Sequence, residues 1–238
     1  MKVAVLGGDE GTRRAVDDAG GTVVDAAAAA DAAAADATIA VGESALLEAA
    51  AEPVPGPILP VDAGIGRYDV PRRRLGAAVD ALVDGAYRTV DQPTLSVDVD
   101  GEFRARAVLD AALMASEPAH ISEYAVRAGG EAIDSFRADG VVVATPAGSE
   151  GYALDVGGPR VGPGTGVAVV PVSTYATSSS SWVLRPEVVL TVERDDAAVS
   201  LLVDDRVARR VDPHTPVTLG FDRDVRIVRP DLGPERRS

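Results

Sequence analysis

The feature that most constrains this chain is a short apolar strand followed by a loop rich in glycine and hydroxyl groups, between residues 136 and 159. The run 141–144 is β-branched and bounded by Asp139-Gly140 and Thr145-Pro146, which predicts a fully buried strand. Around this strand lie glycines that admit a ligand close to the backbone, together with hydroxyls and a carboxylate that could bind ribose or phosphate: Gly148, Gly151, Gly157, Gly158, Thr145, Ser149, Tyr152 and Asp139. The segment predicts a nucleotide site, with a tight turn that closes a β-hairpin or a barrel corner as the alternative.

Strand and helix patterns alternate through the first part of the chain. Predicted strands at 2–6, 22–24, 38–41 and 58–61 are separated by predicted helices at 13–19, 26–37, 44–51 and 72–85. This alternation predicts a parallel sheet. From about Pro93, short alternating runs predict a β-rich, antiparallel region: 95–99, 121–126, 167–172, 188–192, 200–203 and 225–228. We expect an α/β nucleotide-binding domain at 1–92, an all-β C-terminal domain at 93–228 and a disordered polar tail at 229–238.

The charge balance excludes several classes of partner. The formal net charge is −14 and Lys2 is the only lysine, a composition that indicates a halophilic protein. Such a surface repels nucleic acid and anionic membranes, so we expect neither as a partner. The lysine shortage also excludes a GxxxxGK[ST] phosphate loop.

The sequence also limits the kinds of metal site and the cellular location that we expect. There is no cysteine, so a disulfide framework and a thiolate zinc site are excluded and any metal would be bound by oxygen. No apolar run approaches the roughly 18 residues of a membrane span, and the start of the sequence does not have the pattern of a signal peptide. We therefore expect a cytoplasmic protein.

The segment from Ala138 to Pro159 closely resembles the ADG…TPTGSTAY…GGP signature of the NAD kinase family, because it contains the letters ADG, TPAGSEGY and GGP in that order. The resemblance implies that this segment cradles a dinucleotide, with Asp139 near the nicotinamide-side ribose and Tyr152 near the adenosine. It also implies that the β-rich domain is the NAD-binding domain and that the end of the chain packs back against the first domain. Glu150 departs from the signature, and a carboxylate there would weaken nucleotide binding or recruit a cation.

Two stretches compete for the family's GGDGT loop, whose aspartate activates the acceptor hydroxyl or binds the metal. The stretch 7–12, GGDEGT, matches better by letter, but it has an inserted Glu10 and follows the first strand. The stretch 42–45, GESA, has the expected position, with a strand before it and a Leu-Leu helix after it. We favour the second stretch, which makes Glu43 the catalytic carboxylate and leaves Asp9 as the alternative. Asp9 also has a purely structural interpretation as a helix cap.

Other family positions can be placed on this sequence by the same resemblance. Asp62 and Gly64 lie where the family has an Asn-Thr-Gly turn, Asp110-Ala111 where it has an Asn-Glu pair, and Asp204-Asp205-Arg206 where it has Asp-Gly-Gln. The predicted nucleotide-binding residues are therefore Gly42, Ser44, Asp62, Gly64, Asp110, Asp139, Gly140, Thr145, Gly148, Ser149, Gly151, Tyr152, Gly157 and Gly158.

The resemblance implies ATP-dependent phosphorylation of NAD at the 2′-hydroxyl of its adenosine ribose, to give NADP. The implied ligands are ATP, NAD and Mg²⁺, and a homo-oligomer is expected. A second hypothesis is a noncatalytic NAD(P)-binding paralogue that acts as a sensor or regulator, which the substitutions at Glu43, Ser44, Ala45 and Ala111 favour. A third is a lipid or sugar kinase of the wider group that shares a GGDGT loop.

Overall fold

The computed structural model describes residues 1–24, 34–51, 56–117, 121–174, 180–195 and 197–233. Most of the helix predicted at 26–37 lies outside these ranges. The strands are β1 (Lys2–Leu6), β2 (Thr22–Val24), β3 (Ala37–Val41), β4 (Ile58–Val61), β5 (Tyr87–Val99), β6 (Glu102–Ala107), β7 (Asp110–Ala115), β8 (Ser122–Ala128), β9 (Glu131–Ala138), β10 (Gly140–Ala144), β11 (Val167–Val172), β12 (Trp182–Leu184), β13 (Val188–Arg194), β14 (Val199–Val203), β15 (Arg206–Val211) and β16 (Val217–Pro230). The α-helices are α1 (Glu10–Asp18), α2 (Glu43–Ala51), α3 (Leu75–Val83) and α4 (Tyr152–Asp155).

The chain forms two compact units. One, called the α/β unit, contains residues 1–92 and 225–238, and the other, called the β unit, contains residues 93–224. The division falls within β5 and β16, so these two strands belong to both units. The predicted fold class, an α/β N-terminal part followed by a β-rich part, is confirmed.

Parallel strands form the sheet of the α/β unit. β1 pairs in parallel with β2 and β3, and β3 pairs in parallel with β4. The end of β16 adds to this sheet, because Ile227 pairs with Ile58 in parallel. The sheet packs against helices whose apolar residues recur at helical spacing, as in α3, where Leu75, Val79 and Leu82 are buried. No helix in the described ranges is long and apolar enough to cross a membrane.

Antiparallel strands form the β unit. One sheet has the order β12-β11-β10-β7-β14-β15, and a second contains β13, β8 and β9. Both sheets contribute to one core cluster that includes Val141 and Val143 of β10. The alternate residues of β10, Val142 and Ala144, belong to a second cluster with Ala153 of α4. β10 is buried on both faces, which explains why its sequence is a continuous apolar run rather than an alternating one.

The end of the chain departs from the predicted disordered tail. β16 extends through Pro230, the backbone N–H of Asp231 donates to the carbonyl of Ala86 at 3.0 Å, and the Arg74 side chain donates to the carbonyl of Leu232. These bonds fix the chain beyond residue 229. The remainder of the predicted tail, 234–238, lies outside the described residues.

Candidate functional site

Two hydroxyls hold the loop that follows β10. Thr145 Oγ1 donates to the carbonyl of Val108 at 2.9 Å and accepts from the backbone N–H of Gly148 at 3.1 Å. Ser149 Oγ donates to the carbonyl of Pro146 at 2.8 Å and accepts from the backbone N–H of Val161 at 2.9 Å. Both side chains are fully buried. These bonds shape the loop, and the predicted contact of the two hydroxyls with a nucleotide stays a prediction.

The glycines of this segment make close backbone contacts. A Cβ at Gly148 would overlap the carbonyl of Leu109, and one at Gly158 would lie 2.6 Å from the carbonyl oxygen of Ala153. A Cβ at Gly140 would lie 2.6 Å from the carbonyl oxygen of Leu113. These glycines are required by packing within the protein, independently of any ligand.

The other two loop glycines form turns around α4. Gly157 has φ of 91°, in the region that favours glycine. Gly151 ends the 3₁₀ turn Gly148–Glu150, since its N–H donates to the carbonyl of Gly148 at 3.0 Å. Together they allow the chain to enter and leave the single turn of α4.

Tyr152, Asp110 and Asp139 form an extended rim: the charges of both carboxylates act on Tyr152, and the carboxylates lie near opposite ends of β10, since Asp110 pairs with Ala144 and Asp139 precedes Gly140. Tyr152 is 45% exposed at the start of α4, and Asp110 and Asp139 are half-buried. Partial burial raises the pKa of the Tyr152 phenol, and the charges of Asp110 and Asp139 raise it further. Carboxylates spaced along a strand can accept hydrogen bonds from the ribose hydroxyls of an extended ligand, and a phenol beside them can pack against a base.

A half-buried carboxylate, that of Asp204, binds the backbone at the start of β7, where Asp110 lies. Asp204 lies in the turn between β14 and β15, with φ of 51°. Its Oδ1 accepts from the backbone N–H groups of Val108 at 3.1 Å, Leu109 at 2.7 Å and Asp110 at 3.2 Å. Burial raises the pKa of Asp204, and these hydrogen bonds oppose the increase. The sequence analysis identified Asp204 only as part of a turn that departs from the family's Asp-Gly-Gln. The residues next to Asp204 in the sequence do not show which distant backbone groups it binds.

Glu150, the residue that departs from the family signature, forms an ion pair. Its Oε2 lies 3.1 Å from Nε of Arg160, and its side chain is only 4% exposed while that of Arg160 is 58% exposed. The expectation that Glu150 repels a nucleotide or recruits a cation stays untested. The geometry shows a buried carboxylate whose charge is opposed by an arginine ten residues later, on the far side of α4 in the sequence.

Three loops lie at the same edge of the parallel sheet in the α/β unit. They follow β1, β3 and β4, which are neighbours in that order, and the carboxyl ends of parallel strands share one edge. Asp9 belongs to the first loop, Gly42 and Glu43 to the second, and Asp62 and Gly64 to the third. Open α/β sheets bind ligands at this edge.

Asp9 is a helix cap in this structure. Its Oδ1 accepts from the backbone N–H of Thr12 at 2.9 Å and from Thr12 Oγ1 at 3.0 Å, and its Oδ2 lies 2.5 Å from Nη2 of Arg72. The hydrogen bonds from Thr12, followed by the charge of Arg72, hold the pKa of Asp9 below its usual range. A carboxylate with these partners and a lowered pKa is a poor proton acceptor.

Glu43 is the exposed carboxylate at the start of α2. A Cβ built on Gly64 would lie 3.4 Å from Glu43 Oε2, so the side chain approaches the third loop. Gly42 and Gly64 have φ of 88° and 77°, which gives both loops left-handed turns. Ser44 is exposed beside Glu43. The third loop is fixed by Asp62 Oδ1, which accepts from the backbone N–H of Arg72 at 3.1 Å.

Two further residues support this edge and were not singled out from the sequence. Asp69 Oδ2 accepts from the backbone N–H of Gly64 at 3.0 Å, and burial raises the pKa of Asp69. Arg72 contacts Asp9 and Asp62 and so links the first loop to the third. A lone aspartate and one member of an arginine triplet carry no sequence signal for such roles.

The fold defines a protein with an α/β unit followed by a β-rich unit that carries the rim. Residues 108–223 match the family model of the ATP-NAD kinase C-terminal domain. The NAD kinase of Gemmatimonas aurantiaca is 33% identical over 188 residues, 71% of this chain and 62% of that protein. The NAD kinase of Methanosarcina mazei is 33% identical over 160 residues, 61% of this chain and 55% of that protein. The chain belongs to the NAD kinase family, and it spans less than two thirds of the length of these relatives.

Solved structures share the fold. An Archaeoglobus fulgidus NAD kinase in complex with ATP superposes with a TM-score of 0.74 at 21% identity, over 97% of this chain and 94% of that one. Yeast NADH kinase complexed with NADH superposes with a TM-score of 0.73 at 14% identity, over 98% of this chain and 84% of that one. At these identities the likeness establishes the fold.

Proposed function

We propose that the protein phosphorylates NAD at the 2′-hydroxyl of its adenosine ribose, with ATP as the phosphoryl donor. The observation that carries this proposal is the rim formed by Tyr152, Asp110 and Asp139 inside the segment that matches the ATP-NAD kinase C-terminal domain. The relatives in Gemmatimonas aurantiaca and Methanosarcina mazei are named NAD kinases, which supports the same activity.

Each part of the rim has a distinct role in this proposal. Asp139 and Asp110 accept hydrogen bonds from ribose hydroxyls, and Tyr152 packs against the adenosine. The buried hydroxyls of Thr145 and Ser149 keep the loop in shape, so that these three side chains stay at fixed separations. Such preorganisation matters because phosphoryl transfer depends on alignment and charge stabilisation more than on covalent chemistry of the protein.

Glu43 orients or deprotonates the acceptor hydroxyl in this proposal. It is exposed at the carboxyl edge of the parallel sheet, whereas Asp9 is committed to Thr12 and Arg72. Glycine turns at Gly42 and Gly64 leave room for donor phosphates beside it. The side chain of Glu43 is longer than that of the aspartate in the family's loop. This length is compatible with the role, since Glu43 Oε2 is directed towards Gly64.

Mg²⁺ fits this edge as a companion of the donor phosphates. No group of three or more potential side-chain ligands lies together among the described residues. Magnesium needs no such group, because it commonly binds through one or two carboxylates together with substrate phosphates and water. Bound there, it would neutralise charge on the phosphates, and Glu43 is the exposed carboxylate available to hold it.

The net charge and the family resemblance also bear on the localisation, the oligomeric state and the salt requirement of the protein. We propose a cytoplasmic homo-oligomer that works at high salt, on the basis of the resemblance and the formal net charge of −14. The noncatalytic alternative is less favoured, because the named relatives are kinases and Glu43 keeps an exposed carboxylate in the reaction loop.

The proposal is tested by NADP formation from NAD, ATP and Mg²⁺ at high potassium chloride. Glu43→Gln should lower kcat by roughly a hundredfold or more, because the group that aligns the hydroxyl is lost. Asp9→Asn serves as the matched control and should retain most turnover, since asparagine also caps a helix. A native chain that binds NAD without turnover would support the noncatalytic paralogue. Loss of turnover in Asp9→Asn alone would assign catalysis to the first loop.

A further inference from the structure

Two arginines stack on one tyrosine in the α/β unit, and a third lies beside one of them, because the backbone N–H of Asp231 donates to the carbonyl of Ala86 and so brings the start of β5 next to the end of β16. The Cζ atoms of Arg67 and Arg229 lie 5.0 Å and 5.4 Å from the centroid of the Tyr68 ring. Arg88 is close enough to Arg229 for their charges to repel each other. Such a grouping stands out in a chain with 23 lysines and arginines against 37 aspartates and glutamates. We call Arg67, Arg88 and Arg229 the arginine cluster.

The arginine cluster is assembled from three separate parts of the fold. Tyr68 ends the 3₁₀ turn Gly66–Tyr68 that follows β4, and Arg229 is the penultimate residue of β16. Since β16 pairs in parallel with β4 through Ile227 and Ile58, Arg229 lies near the carboxyl end of β4. Arg88 is the second residue of β5. Residues distant in sequence are thus brought together at one place, as in a built site.

The positive charges around Arg229 favour binding of an anion at this place. Burial lowers the pKa of Arg229, and the charges of Arg88 and Arg67 lower it further, opposed only by Tyr68. Among the described residues, no carboxylate forms an ion pair with Arg88 or Arg229. The usual means of neutralising a guanidinium is therefore missing at half-buried Arg229 and at exposed Arg88.

We propose that the arginine cluster binds a phosphate-bearing anion, either a phosphate monoester or a polyphosphate. A guanidinium presents paired N–H donors that match two phosphate oxygens, and stacking on the Tyr68 ring restricts the orientation of Arg67 and Arg229. A bound dianion relieves the repulsion between Arg88 and Arg229. None of the three arginines is among the predicted site residues, but Arg67 lies in the same loop as Gly64, so the inference rests on the proposed function to the extent that donor phosphates bind beside that loop.

The test uses the full chain in phosphate-free potassium chloride with inorganic tripolyphosphate as the probe. Calorimetry gives the dissociation constant, and thermal unfolding gives the midpoint with and without the probe. The variants are Arg229→Met, which keeps an apolar side chain on Tyr68, and Arg88→Gln. Arg226→Gln is the matched control, since Arg226 is an exposed arginine in the same strand.

The expected result has two independent parts. Each cluster variant should weaken tripolyphosphate binding about tenfold, the effect of losing one charge-assisted contact. Without the probe, Arg88→Gln should also raise the unfolding midpoint, because it removes one of the mutually repelling charges. Arg226→Gln should change neither quantity.

Three outcomes would overturn the proposal. These are a native chain that does not bind tripolyphosphate, equal weakening by Arg226→Gln, or a lowered midpoint in Arg88→Gln with binding unchanged. The last result would mean that Arg88 contributes to packing of the fold and not to anion binding. Tighter binding of tripolyphosphate than of AMP would identify a free polyphosphate as the ligand, and the reverse a nucleotide phosphate. None of these measurements requires NAD turnover, so the result stands apart from the kinase assay.

Discussion

At the scale of single residues, Asp204 supports the proposed nucleotide site without being placed at its rim. Its carboxylate binds the backbone of Val108, Leu109 and Asp110, and Thr145 Oγ1 binds the carbonyl of Val108 from the other side. The position of Asp110 therefore depends on a side chain 94 residues away in sequence. We regard Asp204 as a positioning residue.

Replacing this carboxylate should affect substrate binding more than the fold. Asp204→Asn puts an amide N–H group among backbone donors, so we expect the start of β7 to shift and kcat/KM for NAD to fall roughly ten- to a hundredfold, mainly through KM. Asp205→Asn is the matched control, because Asp205 is exposed and its Oδ1 faces Arg206 at 3.3 Å. Steady-state kinetics of both variants checks the prediction, and similar losses in the two would contradict it.

The same variant should change how stability depends on pH. Because burial raises the pKa of Asp204 above its unfolded value of about 3.9, protonation favours the folded state. This contribution is fully present below the unfolded pKa and is lost as the pH rises through the folded pKa. The free energy of unfolding of the native chain, relative to Asp204→Asn, should therefore fall across that window. Urea titrations at several pH values measure it, and a difference that grows with pH would count against a raised pKa.

At the scale of elements, the loop after β10 shows what a sequence can predict and what it cannot. The strand itself could be predicted because Val141 to Ala144 is apolar and bounded by turn residues. The partners of Thr145 and Ser149 could not, because Val108 lies 37 residues from Thr145 and Val161 lies 12 residues from Ser149. A hydroxyl in a glycine-rich loop has the same sequence signature whether it faces a ligand or a backbone.

The glycines of the chain differ in their tolerance of a side chain. Gly148→Ala should destabilise the β unit by about 1–3 kcal/mol, because its Cβ would overlap the Leu109 carbonyl. Gly76→Ala is the control, since Gly76 lies within α3 with nothing within 4 Å of a Cβ. Alanine there should stabilise the protein by up to about 1 kcal/mol. Chemical denaturation of both variants decides the point, and equal effects would refute the packing argument.

At the scale of the whole molecule, the excess of acidic residues governs how the folded state responds to salt. A formal net charge of −14 produces self-repulsion in a compact chain. Raising the ionic strength from about 0.1 M to about 1 M shortens the Debye length from roughly 10 Å to roughly 3 Å. The repulsion between exposed carboxylates is then largely screened.

We therefore expect the free energy of unfolding to rise steeply with potassium chloride. Thermal or urea unfolding across a salt series measures the effect. An uncharged osmolyte at matched osmolarity provides the control, because it favours compact states without screening charge. If the osmolyte stabilises the chain as strongly as potassium chloride does, screening of charge repulsion is not the main cause of the stabilisation.

The two-part architecture could be predicted from the change of pattern near Pro93, and the resemblance implied that the end of the chain returns to the first domain, but the strand pairing that accomplishes this could not be predicted. Local periodicity shows that 225–228 is a strand, yet it does not show that Ile227 pairs in parallel with Ile58. Pairings between distant segments depend on which apolar faces remain to be covered after the nearer strands have formed. The same reasoning explains why the ordered segment through Gly233 was missed.

The α/β unit draws on both ends of the chain, with β16 supplying Ile227 and Val228 to its sheet and core. When residues 1–92 have left the ribosome, the part of β16 that completes the α/β unit has therefore not yet emerged. The β unit consists of residues 93–224, so all of its residues are synthesised before the last strand of the α/β unit. We therefore expect the order of folding to differ from the order of synthesis, and a chain that stops before β16 would leave the edge of β4 unpaired.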